Sequence, residues 1–127
     1  MHAPRNPGQA YRRIEFDARV AGADPRELVL VCYDQLGEAL GRALSAASAG
    51  NNRAKSEALT RALSALTALQ MGVDARSSVA PALQEFYAAG RNAVLGSVLS
   101  FNAGALTRLR GDTAEIAAAL AAQGLSQ

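Results

Sequence analysis

The chain has no tryptophan, one cysteine, one histidine and four prolines in 127 residues. Three Phe and three Tyr are its only aromatics. Each shortage excludes something. The single Cys32 forms no internal disulfide, so a disulfide scaffold is out. One Cys and one His, His2, cannot build a Cys/His or Ser/His/Asp constellation. The di-metal bundles' Glu-x-x-His pair does not occur. No apolar run approaches the roughly 18 residues of a membrane span. No charged-then-apolar leader follows Met1, so no signal peptide is expected. Thirteen basic residues stand against 11 acidic ones, a net +2, and the two signs are interspersed. Without a Lys/Arg block, neither nucleic acid nor a membrane surface is an expected partner. A cytoplasmic protein with no enzymatic activity, cofactor or metal is the expectation.

What is present is helical. Half the residues are hydrophobic, and alanine supplies nearly a quarter of the chain. Alanine is the best helix former, and β-branched residues are few. The length fits one domain. Such a chain buries about two thirds of its unfolded surface, enough for one core of Leu, Val and Ala.

Residues 1–22 read as an arm. Pro4, Pro7 and Gly8 break structure early. Tyr11 to Val20 can form a short amphipathic helix with Tyr11, Ile14 and Ala18 on one side, too short to be stable alone. The first strong start signal is Asp24-Pro25-Arg26-Glu27: an N-cap, a proline at N1 and a Glu that reaches back to the cap. Leu28, Cys32, Leu36, Leu40 and Leu44 then recur every fourth residue, until Gly50 and Asn51-Asn52 supply turn chemistry. Leu59, Ala62, Leu66, Leu69 and Val73 form a 3-4-3-4 seam for a second helix. Val79, Leu83, Phe86, Gly90, Val94 and Val98 do so for a third, with Pro81 in its first turn. Asn102 is the expected N-cap of a fourth helix, with Leu106, Leu109, Thr113, Ile116 and Leu120 on its seam. Gly111-Asp112 also reads as a stop and a fresh cap, but the unbroken seam favours one helix.

The expected fold is therefore all-α: an antiparallel up-down four-helix bundle with a short N-terminal helical or extended arm. The bundle occupies residues 23–123, with helices at about 25–49, 53–72, 79–99 and 103–122 and a tail at 124–127. Short loops force neighbouring helices antiparallel.

With chemistry excluded, surface remains. Leu28, Val29, Leu30, Val31, Cys32 and Tyr33 are consecutive and apolar. One face of a bundle helix normally fills the core. The surplus must pack under the N-terminal segment, meet a second copy, or receive a partner helix.

A family pattern runs through these residues. Gln9-Ala10-Tyr11, then Val20, then Ala23-Asp24-Pro25-Arg26-Glu27-Leu28 through Tyr33-Asp34 resembles the flagellin export chaperone family, FliS, whose members carry N-A-Y and then A-S-P-x-E-L-x-x-x-L-Y-[DN]. Met71-Gly72-Val73-Asp74 is similar to its G-[LV]-D turn, and Ala80-x-x-Leu83-x-x-Phe86-Tyr87 to its A-x-x-L-x-x-L-Y stretch. The resemblance covers about residues 9–122. There are departures: Cys32 stands where the family has Leu, Ala89-Gly90 replaces Tyr-Met, and Leu120 replaces a Trp.

The resemblance implies a cytoplasmic chaperone that binds the C-terminal segment of newly made flagellin. It would prevent premature polymerisation and support delivery to the flagellar type III export gate. The residues expected at the client are Tyr11, Ile14, Leu28, Val29, Val31, Cys32, Leu36 and Tyr87. In the family the N-terminal segment can occupy the groove when the client is absent, here through Tyr11 and Ile14. The client-free protein is expected to be a monomer or weak homodimer. The competing expectation is a self-associating structural or regulatory bundle.

Overall fold

The computed structural model describes residues 25–125. Four helices follow one another: α1 Pro25–Ser48, α2 Asn52–Met71, α3 Ala80–Leu99 and α4 Ala103–Leu125. Packing joins α1 to α2 and α4, and α3 to α2 and α4, while the diagonal pairs do not approach at the backbone. This is an all-α four-helix bundle, as its four apolar stripes require.

α1 begins with Pro25 at its first position and Glu27 in its first turn, both favourable at the positive end of a helix. It ends in a Schellman motif. Gly50 takes φ +71°, Asn51 N–H donates to the Ala46 carbonyl at 2.8 Å, and Gly50 N–H donates to Ala47 at 3.1 Å. Asn51 also opens α2, its side chain accepting from Ala54 N–H at 3.1 Å. One residue thus closes one helix and caps the next, which makes the sharp reversal possible. Asn102 plays the same opening role for α4, accepting from Ala105 N–H at 3.0 Å. Asp24, the N-cap expected for the first helix, lies outside the described residues.

The core is a Leu/Ala stack with two tyrosines. Leu36 and Leu40 of α1 meet Leu59 and Leu66 of α2, with Val94 and Leu106 closing from the other side, all fully buried. Gly90 of α3 packs tightly against its neighbours: a Cβ there would lie 3.2 Å from Leu66 Cδ2 and 3.3 Å from Leu109 Cδ1. At the far end, Lys55 Nζ lies over the Phe101 ring at 5.5 Å, tying the start of α2 to the α3–α4 connection.

Two expectations about α3 need correction. The seam spacing includes Val98 and Val79, but Val98 is 59 % exposed and Val79 also faces out. The buried row is Tyr87, Gly90, Val94 and Ser97. Its last step from Val94 is three residues, so Ser97 rather than Val98 enters the interior. The Ser97 hydroxyl is satisfied there, accepting from Asn102 N–H at 3.2 Å. In α4 the helix passes through Gly111-Asp112 without a break and continues past Gly124 to Leu125. Buried Thr113 returns its hydroxyl to the Arg110 carbonyl at 2.9 Å, so its burial leaves no unpaired donor.

Candidate functional site

Within the first two turns of α1, Leu28, Val29, Leu30 and Val31 are each neither core nor fully exposed. At about 100° per residue, four consecutive residues sweep about 300° of the helix circumference. Neighbouring helices of a bundle cannot cover such an arc. Val29 packs against the core. Leu28, Leu30 and Val31 retain accessible apolar surface. The up-down topology puts the end of α2 and the start of α3 at this same end of the bundle, and there Met71 is 83 % exposed and Val79 faces solvent. This end therefore displays five large apolar side chains, an arrangement suited to holding the apolar face of another chain.

The structure divides the residues expected at the client. Tyr11 and Ile14 lie outside the described residues. Leu28, Val29 and Val31 stand at the apolar end. Cys32, Leu36 and Tyr87 belong to the core instead, with Leu36 wholly enclosed. Leu36 and Tyr87 face the bundle interior, whereas Cys32, though nearly buried, also lines the open groove beside α1. Leu30, Met71 and Val79 were not singled out as contacts. A helical seam marks what is buried: Leu30 and Met71 lie off the seams, and Val79 fits the spacing of the third-helix seam although it is exposed, so spacing alone does not reveal them.

Beneath this end lies an aromatic pair. Tyr33 of α1 and Tyr87 of α3 are each 2 % exposed, and their hydroxyls are 2.7 Å apart. Phe86 meets Tyr87 edge-on at 5.8 Å between ring centroids. Burial pushes the Tyr33 phenol well above its ordinary range, and the bond to Tyr87 adds to this. Burial also raises Tyr87, against a lowering by the Tyr33 bond. The Cys32 thiol is raised by burial and stays protonated at neutral pH, so it is no nucleophile. Among the described residues no three His, Cys, Asp or Glu side chains come together as a metal site. No described helix is long and apolar enough to cross a membrane. The chemistry available at this end is apolar contact.

A second apolar strip lies at the opposite end, where Leu95, Val98 and Leu99 of α3 are exposed, Leu99 by 91 %. Its sequence signal is the run from Asn92 to Asn102, which carries no charge.

Comparison with known proteins gives one family. Residues 7–121 match the family described as flagellar protein FliS. No curated protein matches the sequence. The matched span takes in all of α1, α2 and α3 and most of α4, including every apolar residue of the end surface. The chain belongs to the FliS family of flagellar proteins, a family of export chaperones.

Proposed function

We propose that the chain binds the C-terminal segment of flagellin in the cytoplasm, keeps it from polymerising early and supports its delivery to the flagellar type III export gate. The observation that carries this reading is the surplus apolar surface around Leu28, Leu30 and Val31 in a chain of this family. A client of this kind is a disordered amphipathic segment that must not assemble inside the cell. Such a segment folds as it binds, and its ordering cost keeps the complex releasable. A rigid bundle with apolar surface at one end supplies the substitute partner.

In this reading Tyr11 and Ile14 of the N-terminal segment compete with the client for the same surface. Removing residues 1–22 then tightens client binding or leaves it equal, because the competent surface no longer has to be cleared. A clear loss would mean that the segment forms part of the client site.

Glutamate at Leu30 and Val31 tests the surface itself. Both side chains retain solvent contact, so the bundle should keep its helicity. Each lost apolar contact is worth about 1–2 kcal/mol, so the double variant should bind flagellin at least roughly tenfold more weakly. Unchanged affinity would remove this end from the site.

A further inference from the structure

We propose that the outer face of α1, flanked by Arg61 of α2 and Arg110 of α4, is a docking groove for an amphipathic helix whose apolar stripe is edged by carboxylates. Two cavities of about 510 and 620 Å³ adjoin here, sharing Glu38, Arg42 and Arg61 in their walls. Together they run from Cys32 to Ala49 along α1, about 26 Å at the helical rise. Between the charged side chains much of the wall is small, and Gly41, Ala46, Ala58 and Ala65 allow a second helix to approach closely.

Charge says what that helix must carry. Both carboxylates of the groove already have a partner on their own helix. Glu38 is bridged by Arg42 at 2.6 Å, and Glu57 by Arg53 at 3.3 Å. Arg61 and Arg110 form no ion pair among the described residues. The groove thus presents one uncompensated guanidinium from α2 and one from α4. Arg110 is moreover seated by design of the backbone. A Cβ at Gly41 would lie 2.9 Å from its Nη2 and 3.0 Å from its Cζ. Glycine in a helix interior is unfavourable relative to alanine. Here it lets an unpaired guanidinium lie flat against α1 at the edge of the groove. Arginine's planar fork suits a carboxylate presented from a partner side chain. Nucleic acid is the poorer fit, because no aromatic side chain lines either cavity for a base to stack on. The groove starts at Cys32, where the Leu28–Val31 strip ends, but Arg61 and Arg110, which carry the inference, lie outside that strip and have no part in the flagellin reading.

The test is fluorescence anisotropy on the full chain with two labelled alanine-rich helical peptides of about 18 residues, long enough to span the groove. One carries Glu on both edges of a Leu/Ala stripe, the other Lys. The Glu peptide should bind saturably and roughly tenfold tighter at low salt. The double reversal Arg61→Glu with Arg110→Glu should invert the preference. Gly41→Ala should weaken the Glu peptide several-fold without loss of helicity, and Arg108→Glu, outside the groove, should leave it unchanged. Equal binding of the two peptides, binding of neither, indifference to the reversal, or tighter binding of a uridine oligonucleotide would each overturn the proposal.

Discussion

Tyr33 and Tyr87 meet hydroxyl to hydroxyl at 2.7 Å across the diagonal of the bundle, although α1 and α3 nowhere approach each other at the backbone. Only two long side chains reaching inward from opposite corners can span that distance. They fix how far apart the diagonal helices stand directly beneath the apolar end.

The first prediction follows from the asymmetry of buried hydrogen bonds. Tyr33→Phe or Tyr87→Phe alone strands the other hydroxyl in the core and should cost about 1–3 kcal/mol. The double variant removes both polar groups and should cost less than the sum of the two. Urea unfolding of the four proteins in a double-mutant cycle measures the coupling, and strict additivity would contradict the pairing.

Stability should also fall at alkaline pH. Both phenols have folded-state pKa values raised above the ordinary 10.0. The unfolded chain therefore releases these protons first, and the contribution of the folded protonated form is lost as pH rises beyond about 10. Cys32, raised from 9.0, begins the decline slightly earlier. The urea midpoint should be flat from pH 7 to about 9 and drop above it, less steeply in the double Phe variant.

Glycine substitutions should split in sign. Gly37 and Gly111 have open space where a Cβ would go, so Ala there should stabilise by about 0.5–1 kcal/mol through helix propensity. At Gly90 the new methyl would press on Leu66 and Leu109, both buried in the core, and each would have to give way. Overpacking of about 1–3 kcal/mol should exceed the propensity gain there. Thermal melts of the three variants decide it.

The caps offer a local test. Asn102→Ala removes the acceptor for Ala105 N–H and should cost about 1 kcal/mol. Asn51→Ala should cost a similar amount, since it removes the acceptor for Ala54 N–H while the backbone bonds of the turn remain. Asn52→Ala, one position into the same helix, should change the unfolding midpoint little.

The α2 and α4 seams could be read from the sequence because their apolar residues repeat at 3-4 steps with charged residues between them. Leu59, Leu66, Leu106 and Leu109 are core as the spacing implies. The surplus on α1 was visible as an unbroken apolar run. Its internal division was not. Tyr33 looks like one more member of that run, and Tyr87 like a contact at the surface. Their burial depends on each other, at 54 residues' separation, and a helical wheel carries no such information. Ser97 and Val98 fail for a related reason. Polarity alone favours Val98, but Ser97 can enter the core because the backbone of Asn102 gives its hydroxyl a partner.

The client surface is tested most directly by size-exclusion chromatography with light scattering. The purified chain is mixed with flagellin, full length or lacking its C-terminal segment. An equimolar complex with the full-length protein alone is the predicted result. A complex that survives loss of the C-terminal segment, or no complex with either form, would contradict it.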